Sequence, residues 1–178
     1  MGVMNYPDQY RIAFSGLKVG MHTYEFMVDN SFFEKLGDEV ISGGVVTVGV
    51  NMMKDTRMMD FQIEINGKVT VACDRCNDPL EQPVSGKERL IVNLGDKYYE
   101  ESEEVQVIPE TDSFFDLSPF LYEYIHLLLP VRRIHPDDQN GNSTCNPNML
   151  KILNEMVPEH IPDPRWEVLR TLKNDTEC

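Results

Sequence analysis

The chain has 178 residues and is 41% apolar, enough to bury a core, most simply as one composite domain. Its 16 Lys and Arg stand against 30 Asp and Glu, and the formal charge of −14 weighs against tight nonspecific binding to nucleic acid and favours basic partners. It has no run of roughly 18 apolar residues, and the N-terminus lacks a charged segment leading into an apolar one. Together these predict a soluble, cytoplasmic protein with reduced thiols.

In chain order, residues 10–14 and 21–28 read as short strands around Gly16 and Gly20, and residues 31–36 as a helical turn or two ended by Gly37. Beyond Gly43-Gly44 the alternation sharpens. Val46, Val48, Val50 and Met52 fall on one face of a strand, and Met59, Phe61, Ile63 and Ile65 on one face of the next. Asn66-Gly67 then reads as the positive-φ pair of a tight hairpin turn into Val69, Val71 and Cys73. Pro79 and Pro83 bracket a return, and Leu90, Val92 and Leu94 continue as a further strand. The prediction is a four-stranded antiparallel meander over about residues 41–95.

Residues 96–116 carry eight acids against Lys97, a net of −7, and read as a solvated loop or mobile linker. Leu117, Leu121, Tyr124, Ile125 and Leu128 then repeat at helical spacing, with Pro119 in the first turn and Pro130 ending the run. A polar, turn-rich connection through Asp137-Asp138 and Asn140-Gly141 leads to Cys145. Pro147 starts a short helix to Met156, and Pro164 another that carries Trp166, Leu169 and Leu172.

Chemistry concentrates at Cys73-Asp74-Arg75-Cys76, at the end of a strand. Two thiolates three positions apart on a tight turn can point at one centre, half of a tetrahedral zinc site. The other half is assigned to His135 and Cys145, giving C-x2-C, 58 intervening residues, then H-x9-C. The alternatives are a pair of small buried residues or a redox couple, though a redox couple wants its first cysteine at a helix N-terminus. His126 is the rival histidine, but its place between Ile125 and Leu127 suits a helix surface or interface. Arg75, Arg132 and Arg133, with Lys87 and Arg89 on the neighbouring strand, are candidate RNA contacts, a local basic patch on an acidic body. The bland reading has the arginines pairing with Asp74, Asp137 and Asp138. The chain has no G-x-S-x-G, no phosphate-cradling G-x-x-x-x-G-K-[ST] and no H-E-x-x-H, so no catalytic set is assigned.

With these pieces placed, the chain resembles the YceD family of bacterial and plastid large ribosomal RNA accumulation proteins. Cys73-Asp74-Arg75-Cys76 with Pro79-Leu80 carries the likeness, as do Asp116-Leu117-Ser118-Pro119, the run from Glu123 to Pro130, Arg133-Ile134-His135, Cys145, and Asp163-Pro164-Arg165-Trp166 with Leu169 and Leu172. These occur in the family's order over about residues 60–173. The resemblance implies a metal-binding, non-enzymatic role in large-subunit ribosomal RNA accumulation and ribosome assembly. Its partners would be large-subunit RNA precursor or ribosomal proteins, with no membrane and no small-molecule substrate. The rival class is an acidic protein-interaction module that holds a basic ribosomal protein or assembly factor through residues 96–116.

The fold expected is therefore α+β: an antiparallel β-meander or partial barrel packed by C-terminal helices and joined by a zinc-stapled loop. Residues 1–95 form a β-rich region, 96–115 an acidic linker or loop, and 116–178 a helical region packing on the sheet.

Overall fold

The computed structural model describes residues 8–102 and 104–156. A 3-10 turn, Asp8–Tyr10, leads into β1 (Arg11–Ala13) and β2 (Gly20–Val28), then α1 (Asn30–Leu36). Three long strands follow: β3 (Ile41–Lys54), β4 (Met58–Ala72) and β5 (Pro79–Gly95). Next come β6 (Tyr99–Ser102), β7 (Val105–Pro109), β8 (Phe114–Asp116), α2 (Ser118–Leu127) and α3 (Pro147–Met156). Six strands form one sheet in the order β2-β3-β4-β5-β7-β6, antiparallel except for the parallel pair β5 and β7, while β1 and β8 pair as a separate ribbon. The fold is α+β, as expected, and the sheet is not closed into a barrel.

The period-two alternation buries one face of the sheet. Val48 lies opposite Ile65, Val50 opposite Ile63 and Met52 opposite Phe61, all of them buried, and Phe61 in turn faces Leu90. A one-residue slip would put this whole row in water, so the pattern fixes the register. Leu117, Leu121 and Ile125 of the α2 segment join the same core, and Phe115 stacks between Phe61 and Phe120 at 5.4 and 5.5 Å. Gly86 sits opposite Ile65 on β5, and a Cβ there would meet Leu128 at 2.3 Å. The missing side chain is what lets the end of α2 lie on the sheet.

Helix α1 is capped at both ends. Asp29 accepts from the Ser31 N–H at 3.0 Å, and Gly37 closes the helix in the left-handed region at φ 64°. The Ser31 hydroxyl, with the N–H groups, holds the Asp29 carboxyl below the usual carboxylate range. Asp29→Ala is expected to cost about 1 kcal/mol at neutral pH. Because the folded-state value is the lower one, this contribution is present above the ordinary carboxyl pKa of about 3.9 and is lost as pH falls through the folded value. Thermal melts of parent and variant should therefore converge in acid.

Two expectations are corrected. Asn66-Gly67 is not a turn: β4 runs through it, with Gly67 opposite Val46 on one side and Val84 on the other. The β4–β5 hairpin closes instead at residues 73–78, and both Pro79 and Pro83 lie inside β5, whose outer edge has no strand partner before Ile91 among the described residues. Proline is tolerated on such an edge because no ladder donor is needed there. The acidic stretch is likewise not an irregular loop, since it contributes β6, β7 and β8. Its apolar residues Val107, Ile108 and Phe115 are buried while Asp96, Glu100, Glu101, Glu104 and Glu110 are exposed, a pattern too short to stand out against the charge. The helix expected after Pro164, with Trp166, lies outside the described residues.

Candidate metal centre

The hairpin loop that joins β4 to β5 is itself the cysteine knuckle. The Asn77 N–H donates to the Cys73 carbonyl at 2.8 Å, and the Cys73 N–H to the Asp78 carbonyl at 2.9 Å. Asn77 sits at φ 60°, a conformation that asparagine adopts more readily than most residues. This tight turn aims both thiols at one point. A second segment reaches that point from the end of α2: the Asp74 N–H donates to the Arg133 carbonyl at 2.7 Å, and the Asp74 carboxylate accepts from the Arg133 N–H at 2.6 Å and its guanidinium at 3.1 Å. Two residues on, His135 faces the thiols.

The ligand atoms of Cys73, Cys76, His135 and Cys145 all lie within 4.8 Å of one another. Cys73 Sγ is 3.8 Å from Cys145 Sγ, while His135 Nδ1 is 3.4 Å from Cys76 Sγ and 3.8 Å from Cys145 Sγ. Tetrahedral zinc, with bonds of about 2.3 Å to sulfur and about 2.0 Å to nitrogen, separates its ligands by about 3.8 Å between sulfurs and about 3.5 Å between sulfur and nitrogen. Two of these separations, 3.8 Å between Cys73 and Cys145 and 3.4 Å between Cys76 and His135, fall at those edges, and the whole set lies close enough together to hold such an ion. The three cysteines are buried and His135 is half-buried. Behind His135, Nε2 lies 3.2 Å from the Pro79 carbonyl. An Nε2–H donated there leaves Nδ1 as a lone-pair ligand, the outer contact that metal-bound histidines commonly make.

Electrostatics prepare the thiols. Burial pushes Cys73 up, but the N–H groups of Cys76, Arg75 and His135 outweigh it and bring its pKa down to about 6. Cys145 is lowered by the Ser143 hydroxyl, with His135 assisting. Cys76 receives the Asn146 N–H, yet burial and the neighbouring sulfurs of Cys73 and Cys145 hold it above the ordinary thiol value. His135 is raised by Cys145 and then Cys73, as expected of an imidazole facing thiolates. Crowded sulfurs that compete for protons are better satisfied by a divalent cation, which replaces those protons.

The loop from 136 to 145 has a scaffold of its own that residue spacing did not reveal. The Asp138 carboxylate accepts from the N–H groups of Asn140 and Asn142, both at 2.8 Å, and Thr144 Oγ1 donates to the Pro136 carbonyl at 2.6 Å. The Asp-x-Asn-Gly-Asn run was the available signal, since Asp side chains close such turns on backbone two to four residues ahead. Arg75 donates to Ser143 at 2.9 Å and Asn146 to Asp78 at 3.0 Å, so knuckle and loop are joined on both flanks.

The five candidate RNA contacts do not form one patch. Arg75 and Arg133 are engaged in these joints. Lys87 pairs with Glu64 at 3.2 Å, and Arg89 forks onto Asp60 at 2.7 and 3.0 Å. Both stand eight or more residues along β5 from Pro79, about 26 Å or more by strand rise. Arg132 is exposed beside the centre and, among the described residues, has no hydrogen bond or ion pair. His126 is away from the thiols: its Nε2 lies 3.0 Å from Asp38 and its ring against Tyr122. No helix among the described residues is long and apolar enough to cross a membrane.

No curated protein and no solved structure matches the chain. The family model described as large ribosomal RNA subunit accumulation protein YceD matches residues 61–173, a span holding the knuckle, the α2 helix and the loop that carries His135 and Cys145, and the chain belongs to that family.

Proposed function

We propose that the protein is a non-enzymatic, cytoplasmic factor in large-subunit ribosomal RNA accumulation and ribosome assembly, with one structural zinc held by Cys73, Cys76, His135 and Cys145. Family membership is the observation that carries the role. The clustering of the four ligand atoms within 4.8 Å supports the metal, and four protein ligands would fill its coordination, leaving no position for water or substrate. The zinc would then staple the β4–β5 hairpin to the segment that follows α2. Arg132 is the strongest of the five candidate RNA contacts, because the other four already hold partners.

A second reading, an acidic module holding a basic ribosomal protein or assembly factor, is favoured by the exposed edge strand β6, which carries Glu100 and Glu101. One experiment separates the two. Affinity purification from cells is expected to recover large-subunit RNA precursors. Under the RNA reading, ribonuclease removes every ribosomal component. Under the protein reading, a basic protein stays bound after digestion. Recovery of neither would defeat both.

A further inference from the structure

A groove of about 680 Å³ opens between α2 and β5, on the side of the molecule where β6 and β7 extend the sheet. Four carboxylates line it: Glu88, Glu100, Glu104 and Glu123. The guanidinium on its wall, Arg89, is already paired with Asp60, and His126 Nε2 lies 3.0 Å from Asp38. None of the four carboxylates has an ion-pair partner within 4.0 Å among the described residues.

Tyr124 lines the same groove at 7% exposure, and its hydroxyl makes no hydrogen bond. Burial, together with Glu88, Glu123 and Glu104 nearby, raises its pKa to about 12, so the phenol stays protonated. A buried hydroxyl without a partner is uncommon, and its oxygen, closed off from solvent beneath the groove wall, can accept from an incoming N–H once the side chains that cover it move aside. Adjoining this groove, and sharing Glu100 with it, a second one of about 380 Å³ presents the exposed rings of Tyr98, Tyr99 and Phe114.

We propose that the two grooves form one docking site for an arginine- and lysine-rich peptide segment of a partner protein. The carboxylates pair with its cationic side chains, Tyr124 accepts a hydrogen bond from one of them, and the aromatic rings stack on guanidinium groups. Aromatic faces could also stack nucleic-acid bases, but four carboxylates, none of them in an ion pair within 4.0 Å among the described residues, repel the phosphates that single-strand binding requires. The proposal rests on the protein-partner reading above and gives that reading a place on the surface.

The test is fluorescence anisotropy with the full chain and a labelled peptide in which arginine and lysine alternate with glycine and serine. Saturable, salt-sensitive binding is expected. Glu88→Gln with Glu123→Gln should weaken it about tenfold, whereas Glu25→Gln with Glu34→Gln, an equal loss of charge at exposed positions outside both grooves, should weaken it less than about twofold. Tyr124→Phe should weaken binding severalfold while leaving the melting temperature unchanged or higher, because the lost hydroxyl had no partner. Equal weakening by the two carboxylate pairs would reduce the effect to net charge and overturn the proposal. Absence of saturable binding, or a labelled single-stranded RNA that competes for the groove, would also overturn it. Ribosomal RNA recovered from cells with a protein that fails this peptide test would defeat the docking site while leaving the assembly role standing.

Discussion

Protein purified without chelator is expected to contain about one zinc per chain, and stripping it should lower the melting temperature by about 8–16 °C. The size follows from linkage. A ligand present at about a thousand times its dissociation constant stabilises the folded state by about 4 kcal/mol, and in a chain of this length each kcal/mol moves the midpoint by about 2–4 °C. Chelation should act at the joint between the β4–β5 hairpin and the loop of residues 133–145, because three of the four ligands are buried there and lie 3.4–3.8 Å from their neighbours. Cys73→Ser should lose the metal and most of the stabilisation. His135→Ala keeps three thiols and should bind zinc more weakly without abolishing it. Elemental analysis and melting curves with and without chelator are the measurements, and a metal-free protein with the same melting temperature as the metal-treated one would remove zinc from the account.

The centre and the sheet were legible in the sequence to different depths. Cys73 and Cys76 could be paired from spacing because a knuckle needs only local geometry, whereas Cys145 was chosen over the terminal Cys178, and His135 on its place between the end of α2 and Cys145 together with the family resemblance. Burial rows such as Val46, Val48, Val50 and Met52 were legible because a half-buried strand writes its face into every second residue. The residues that hold the centre together were not. Asp74 and Arg133 are 59 positions apart, and nothing in either neighbourhood says that one carboxylate will accept from both the backbone and the guanidinium of the other. The strands β6 and β7 were hidden for a different reason. The burial within β7 rests on a parallel pairing with the end of β5, and β6, exposed throughout, exists only as the antiparallel partner of β7, both of which only the topology creates. Lys87 and Arg89 do not share a patch with the arginines of the centre, because a neighbouring strand is near only if the residue lies at the right height along it.

The misreading of Asn66-Gly67 leads to the second large expected effect: Gly67→Ala should destabilise the protein by about 3 kcal/mol or more, while Asn66→Thr should stay within about 0.5 kcal/mol of the parent. A Cβ on Gly67 would sit 2.3 Å from the Val45 carbonyl oxygen and 2.6 Å from the Val46 Cα. Those atoms are backbone of the neighbouring strand and cannot swing aside, so relief requires β3 and β4 to part where Val46 faces Gly67. Gly44 faces the same constraint from the other strand, with a Cβ meeting the Lys68 carbonyl at 2.6 Å and the Val69 Cα at 2.7 Å at φ 153°. The two glycines mark the close approach of β3 and β4 that carries Val69 and Val71 toward the knuckle. Asn66 in this arrangement is an exposed strand residue whose side chain accepts from Ser85 at 2.8 Å, and threonine suits such a position. A hairpin turn would give a different pair of results, since a positive-φ position tolerates neither β-branched threonine at 66 nor alanine at 67. Urea unfolding of both variants decides between them, and a large loss in Asn66→Thr would return the turn to this place and displace the continuous β4.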